Sequence, residues 1–210
     1  MRSIVLSVAA CALVAGSASA SIVATSGAAT QIARPADAQL NVLTSSTVIY
    51  AWDEAQDVAL DRDVTVDAIA PGLYNDSTDL GSFVLAAGTR VSSHYIHFDS
   101  PSTSSASASG SVTFSDDIIG VIVRNGTGLR RLDLTDFLGL GTLFTPNVDQ
   151  RGLELGANGD GFGISLSTRR IEFSLRIANP GDFIRVLTVP APGAAAILGL
   201  AGLAALRRRR

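Results

Sequence analysis

Two short loops of this chain carry the oxygen side chains that a calcium ion would need. Asn75, Ser77 and Asp79 place oxygen atoms at alternating positions, the alternation that calcium loops use. Residues 158–161, with the sequence Asn-Gly-Asp-Gly, form a similar segment. A complete calcium loop also has a central Gly and a bidentate acid near its end, and the loop at Asn75, Ser77 and Asp79 has neither. The pattern therefore predicts at best a partial calcium site, and turn chemistry alone explains such clusters.

The two histidines, His94 and His97, are the residues that a zinc site or a hydrolase would need. They are three residues apart in a strand-like segment, so their side chains point to opposite faces and do not share a zinc ion. His97 and Asp99 share a face and could bind a metal with a third, distant ligand, the alternative being a packed or hydrogen-bonded histidine. No G-x-S-x-G motif is present. We expect no catalysis.

Tyr50 and Trp52 are the aromatic residues that could bind a sugar. They are two residues apart in a strand-like segment and therefore lie on one face. Exposed rings on one face would form a carbohydrate platform. The alternative is that both rings face the core, as large aromatic residues commonly do.

The first twenty residues have the three parts of a secretory signal peptide. A basic Arg2 precedes an apolar stretch at residues 4–15, and Ala18-Ser19-Ala20 is a small-x-small cleavage site. We therefore assign residues 1–20 to a signal peptide that is cut between Ala20 and Ser21.

The last residues form a second three-part signal. They comprise a Pro-containing motif, an uncharged run and a basic cluster: Val189, Pro190, Ala191, Pro192 and Gly193, then residues 194–206, then Arg207, Arg208, Arg209 and Arg210. As a helix, residues 193–206 would span about 21 Å, which is less than the roughly 30 Å hydrocarbon core. This mismatch favours transient membrane residence of a single hydrophobic helix, with the arginines on the cytoplasmic side. A short tail anchor or a buried helix with a basic end is the alternative.

Together, the signal peptide, the Val-Pro-x-Pro motif, the apolar run and the terminal arginines resemble the PEP-CTERM sorting-domain proteins of Gram-negative bacteria. The tail resemblance covers residues 189–210, and residues 52–54, 71–74, 93–99 and 151–156 are similar to bodies that precede such tails. The family usually has Glu between the prolines, where this chain has Ala191. The resemblance implies that an exosortase-type enzyme cuts near the proline motif and delivers the protein to the surface. It implies no activity for the body.

Composition limits the partners of the body that lies between the two signals. Its 169 residues are enough for one domain with a core of its own. The single cysteine, Cys11, lies in the signal peptide, so the body has neither a disulfide nor thiol chemistry. Eleven arginines against nineteen acids give the body a formal charge of −8. This charge argues against a nucleic-acid partner and is compatible with divalent cations and with neutral or cation-bridged polysaccharide.

The apolar residues of the body recur with a period of two. About ten short strands separated by turn residues predict an all-β fold, an antiparallel β-sandwich of the jelly-roll kind at residues 45–189. A helical turn is expected within residues 132–143. Residues 21–44 are expected to form a flexible leader, and residues 190–210 the sorting signal with its hydrophobic helix.

These observations predict an exported protein of the cell surface or the extracellular polymer matrix, with a structural or adhesive role. The first alternative is a module that binds exopolysaccharide. A polysaccharide-active enzyme is a further alternative, because some pair among the nineteen acids could have the separation that glycosidases need.

Overall fold

The computed structural model describes residues 21–101, 105–126, 128–148, 151–156, 159–177 and 181–189. Strands account for 49% of the structure and helices for 7%, which confirms the predicted all-β class. The predicted signal peptide and the predicted C-terminal helix lie outside the described residues. Within the described ranges, no helix is long and apolar enough to cross a bilayer.

The described residues form fifteen strands and three short helical segments. The strands are β1 Ile22–Gly27, β2 Ala29–Gln31, β3 Ile49–Asp53, β4 Val58–Ala59, β5 Val64–Val66, β6 Gly72–Tyr74, β7 Phe83–Leu85, β8 Arg90–Phe98, β9 Ala106–Phe114, β10 Ile118–Ile122, β11 Asn125–Gly126, β12 Leu129–Arg130, β13 Gly161–Ser165, β14 Arg170–Ile177 and β15 Asp182–Thr188. The helical segments are α1 Arg131–Leu134 and the 3-10 helices Ser77–Asp79 and Asp136–Gly139. The segments Arg131–Leu134 and Asp136–Gly139 confirm the helical turn expected within residues 132–143.

Two main sheets contain most of the strands. One has the order β1-β9-β14-β13-β6, and the other has the order β10-β15-β8-β3-β2, with β4 also paired to β8. The strand pairs are antiparallel except for β2 and β3, which run parallel. The chain passes repeatedly between the two sheets, because β1 is followed by β2, β8 by β9, β9 by β10 and β14 by β15, each time in the other sheet.

Alternating apolar residues build the core between the two sheets. In β14, Ile171, Phe173, Leu175 and Ile177 are buried while the residues between them are exposed, as expected for a strand with one face to water. The same cluster includes Ile96 and other residues of β3, β8 and β15 from the second sheet. The two sheets therefore enclose one core in a sandwich-like arrangement.

A second apolar cluster covers the opposite face of the six-stranded sheet. It joins Trp52, Tyr95 and Phe183 of the sheet to Val66 of β5 and Leu132 of α1. Because both of its faces are covered, β15 is buried along its whole length. Side chains on this second face are therefore enclosed as well.

The predicted flexible leader is wrong for residues 22–31, which form β1 and β2. β1 pairs with β9, where Ile22 lies opposite Phe114, and β2 pairs with β3. Ile22 and Ala29 are buried in the core. Backbone pairing and two buried side chains are enough to order a segment whose other residues are small and polar, so its weak hydrophobic pattern was misleading.

Candidate metal centre

The predicted calcium loop at Asn75, Ser77 and Asp79 forms a capped 3-10 helix. The Asp76 side chain accepts a hydrogen bond from the Thr78 amide at 2.8 Å. The Asp79 carboxylate accepts from the amides of Asn75 at 3.0 Å and Asp76 at 2.9 Å, which completes a capping box. Of the three predicted ligands, Asp79 thus has a helix-capping role, and its carboxylate is engaged by the backbone.

His97 and Asp99, the second predicted metal pair, bind to different backbone groups. His97 Nε2 donates to the carbonyl oxygen of Leu43 at 2.8 Å, and burial lowers the pKa of the imidazole to about 3. Asp99 accepts from the amide of Asn41 at 2.6 Å. Hydrogen bonding of His97 to the backbone agrees with the structural alternative for this residue.

His94 lies on the other face of β8, as its spacing from His97 predicts. Its ring packs against Phe114, while His97 packs against Phe183. The Nδ1 atom of His94 is 2.7 Å from the Asp53 carboxylate, and Nε2 is 3.1 Å from Thr188 Oγ1. His94 and Thr188 are both fully buried, so this set joins β3, β8 and β15 inside the protein.

The predicted sugar platform is wrong for Trp52, which has no exposed surface. Its ring lies 5.1 Å from the ring of Tyr95, on the face that the second apolar cluster covers. Tyr50 is half-buried beside the same cluster. The two rings share a face, as their spacing predicts, but the second layer encloses that face.

Three carboxylates form the strongest candidate site among the described residues. Glu154, Asp160 and Asp182 each bring an oxygen atom within 4.8 Å of the other two. Asp160 directly precedes β13, Asp182 begins β15, and Glu154 lies in the segment before β13. The site is therefore at the end of the sandwich where β13 and β15 begin.

Asp160 is held by backbone amides on both sides. Its Oδ1 accepts from the Arg176 amide at 2.7 Å, and its Oδ2 accepts from the Glu154 amide at 2.9 Å. A backbone bridge between Leu155 and Asp160 closes the same turn. These bonds fix the Asp160 carboxylate at the end of β14 and beside Glu154.

Asp182 is fully buried, and neither of its side-chain oxygens accepts a hydrogen bond from an amide, hydroxyl or guanidinium group among the residues that the structure describes; its side-chain contact there is with the carboxyl of Asp160. Its position is set by pairing with Phe98 of β8. The preceding Gly181 packs so closely that a Cβ there would lie 2.5 Å from the Phe98 carbonyl oxygen. Burial, together with the nearby charges of Asp160 and Glu154, raises the pKa of the Asp182 carboxyl to about 10.

The other two carboxyls are perturbed in the same direction. Glu154 is exposed at the protein surface, yet partial burial of its carboxyl and the charge of Asp160 raise its pKa to about 7. Burial raises the pKa of Asp160 as well, against the opposing effect of its backbone hydrogen bonds. Without a cation, the group therefore retains protons at pH values where ordinary carboxyls are ionised.

Two of the buried acids elsewhere in the described chain, Glu54 and Asp67, have arginine partners, whereas Asp99 and Asp116 accept hydrogen bonds from an amide and a hydroxyl. Glu54 binds Arg185, with 2.8 Å between Oε2 and Nε, and neither side chain has exposed surface. Asp67 is paired with Arg131 in a similar buried contact. Asp182 differs from all four, because it has neither an arginine partner nor an amide or hydroxyl donor among the described residues.

Only part of this site could be found from sequence. The Asn-Gly-Asp-Gly segment indicated Asp160, because its turn chemistry resembles that of a calcium loop. Glu154 and Asp182 carry no local motif, and the pairing of β15 with β8 is what brings Asp182 to this end of the sheet. The signal would have been an acid at the start of an otherwise apolar strand, Asp182-Phe183-Ile184.

A shallow trough of about 420 Å³ lies on the outer face of the five-stranded sheet. It is lined in part by serine hydroxyls from β1, β9 and β14: Ser26, Ser109, Ser111 and Ser174. Arg170 and Glu172, an ion pair on β14, also border it. The trough offers hydroxyl and charged groups at a solvent-facing surface.

The predicted processing positions that the structure describes meet at one turn. The amide of Ser21 donates to Ser115 Oγ at 3.0 Å, and the amide of Val189 donates to the Asp117 carbonyl oxygen at 3.0 Å. The remaining predicted processing residues lie outside the described residues: Ala18, Ala20, Pro190, Ala191, Pro192, Gly193, Arg207, Arg208, Arg209 and Arg210.

Comparison of the chain with protein families, with curated proteins and with solved structures finds no match. Its function must therefore be inferred from its own residues.

Proposed function

We propose that this protein is exported, processed at both ends and retained at the cell surface or in the extracellular polymer matrix. There its jelly-roll-like β-sandwich has a structural or adhesive role without catalysis. In this proposal the protein is a PEP-CTERM-like substrate of an exosortase-type enzyme, and its C-terminal helix resides in the membrane only during sorting. The two signals in the sequence are the basis of the proposal.

The observation that best supports it is the convergence of Ser21 and Val189 on the turn that holds Ser115 and Asp117. A cut before Ser21 and a cut just after Val189 would leave every described strand in place. Processing at these positions is thus compatible with a folded product. The formal charge of −8 on that product suits a matrix in which divalent cations bridge anionic groups.

The test is to express the full chain in a Gram-negative host with an active exosortase and to measure the intact mass of the surface-associated product. We expect a chain that begins at Ser21 and lacks residues 207–210. Replacing all four terminal arginines with Ser should leave the precursor uncut, because the basic cluster holds the tail in orientation. Surface protein that keeps these arginines would contradict the proposal. An acyl group on Cys11 would also contradict it, because residue 11 would then remain in the product instead of being removed by a cut before Ser21.

A matched control changes basic residues of the body instead. Arg62 and Arg90 are exposed arginines of the described domain that do not contact the turn at Ser115 and Asp117. Replacing both with Ser removes positive charge without touching either signal, so the product should be cut as in the wild type.

Recognition of exopolysaccharide is the second candidate function, and the serine-lined trough favours it. Hydroxyl and charged groups on an open sheet face can hydrogen-bond to sugar hydroxyls. We expect glycan-array or matrix pull-down binding to be lost when Ser109 and Ser174 are both replaced with Leu. Ser167 lies outside the trough, and Ser167→Leu is the control that should still bind. Equal binding by all three proteins would exclude the trough as the glycan site.

A further inference from the structure

We propose that Glu154, Asp160 and Asp182 bind one divalent cation, with calcium preferred. Asp182 is the residue that points to a ligand, because its carboxylate is fully buried, faces the other two carboxylates and receives no hydrogen bond from an amide, hydroxyl or guanidinium group among the described residues. An isolated buried carboxylate is costly unless a proton or a cation neutralises it.

The separation of the three carboxylates fits a shared ion. Calcium binds oxygen ligands at about 2.3–2.6 Å, so two ligands on opposite sides of one ion are roughly 4.8 Å apart. The three oxygen atoms lie within 4.8 Å of one another, which allows all of them to contact a single ion.

The donor set selects the class of metal. Glu154, Asp160 and Asp182 offer oxygen alone, which suits calcium and magnesium better than zinc. Calcium accepts six to eight oxygens in irregular geometry, whereas magnesium demands a near-octahedral shell at shorter distances. Backbone amides already fix both Asp160 oxygens, so the fold sets the position of this ligand. A ligand that cannot adjust to an octahedral shell favours calcium over magnesium. Exposure of Glu154 lets water complete the shell and gives the ion a route of entry.

Binding would also stabilise the fold. The ion would connect the segment at Glu154, the start of β13 and the start of β15, which belong to two different sheets. An ion that binds only the folded chain stabilises it in proportion to the logarithm of its concentration. Thermal stability should therefore depend on calcium.

The experiment uses the full chain, purified in mild detergent, stripped with a chelator and titrated with CaCl₂ to about 10 mM by calorimetry, a range that covers extracellular calcium modules. We expect one ion per chain and a rise of Tm with CaCl₂ concentration. MgCl₂ should give a smaller rise. Absence of both binding heat and a Tm shift in the wild type would overturn the proposal.

Asp182→Asn is the main variant, and Asp117→Asn is its matched control. Asp117 is an exposed acid in an ion pair with Arg169, so its replacement makes the same charge change outside the site. We expect Asp182→Asn to lower calcium affinity at least tenfold, while the metal-free variant at neutral pH is at least as stable as the metal-free wild type. Equal calcium affinity of the two variants would contradict the proposal.

Glu154→Gln keeps the test decisive if Asp182→Asn does not fold. Glu154 is exposed, so its replacement leaves the interior unchanged while removing one ligand. Weaker calcium binding at unchanged metal-free Tm would support the site. Unchanged binding would rule Glu154 out as a ligand and overturn the three-carboxylate site.

Discussion

Replacing Glu54 with Gln should remove a large part of the stability of this protein. Arg185 donates to Glu54 from Nε at 2.8 Å and from Nη2 at 2.9 Å, and both side chains are fully buried. Ser93 Oγ donates to the same carboxylate at 2.6 Å. Gln has one acceptor oxygen where Glu has two, and its amide nitrogen would face a donor. The guanidinium of Arg185 would then be only partly neutralised inside the core.

Breaking one partner of a buried ion pair typically costs about 3–5 kcal/mol. Whole domains are stable by only about 5–15 kcal/mol, so we expect Glu54→Gln to lose roughly a fifth or more of the free energy of unfolding. Urea unfolding of the full chain can be followed by fluorescence, because Trp52 is the single tryptophan and is buried in β3, two residues before Glu54.

The control is Asp117→Asn, which breaks the exposed pair with Arg169, where the side chains are 64% and 49% exposed. Exposed pairs contribute about 0–1 kcal/mol, so its unfolding should hardly change. If Glu54→Gln destabilises no more than this control, the buried pair does not have the structural role argued from its geometry. A double variant, Glu54→Leu with Arg185→Met, should lose less than Glu54→Gln, because it leaves no unpaired charge.

Two further predictions concern pH and packing. In chelator, the wild type should lose stability as pH rises through about 7 and towards about 10, because the raised pKa values of Glu154 and Asp182 favour the protonated folded state. Asp182→Asn should flatten the alkaline part of a curve of Tm against pH, and parallel curves for the two proteins would contradict this prediction. Gly110→Ala should lower the free energy of unfolding in urea by about 1–3 kcal/mol, since its Cβ would lie 2.8 Å from the Ser26 carbonyl oxygen. The Cβ of Gly126→Ala meets no atom within 4 Å, so this control should lose less stability. Equal losses in the two variants would argue against the close approach at Gly110.

The sequence predicted strands best where apolar residues alternate over a long run. β14 coincides with the predicted strand at residues 170–177, and β5 coincides with residues 64–66. Both have one face on an apolar cluster, so pattern and burial agree. The same reasoning placed His94 and His97 on opposite faces of β8 correctly.

Sequence reasoning failed where pairing, rather than side-chain burial, orders the chain. Residues 101–110 are nearly all Ser and Ala, which predicts a linker, yet residues 106–110 begin β9, which pairs with β14 on one side and β1 on the other. Small side chains are required there, because the backbone at Gly110 approaches Ser26 and Ala29 closely. Propensity alone does not contain this information.

The Asn125-Gly126 dipeptide shows a related limit. It predicts a hairpin turn, and a hairpin does form, but Asn125 pairs with Arg130 and Gly126 with Leu129. The dipeptide is therefore the first strand, β11, and the turn follows it. A side-chain contact explains the shift, because Asn125 Nδ2 donates to Asp133 at 3.0 Å and fixes the strand against α1.

The direction of β15 connects the proposed metal site with the proposed sorting. β15 begins at Asp182, in the carboxylate group, and ends at Thr188, one residue before Val189 contacts the turn at Asp117. Seven residues of extended strand, at about 3.3 Å each, separate the two ends by roughly 20 Å. If the chain is held at the surface through its C-terminal end, the carboxylate group lies at the end of β15 farther from that attachment. There Glu154, the exposed member of the group, is placed to meet cations and cation-bridged polymer outside the cell.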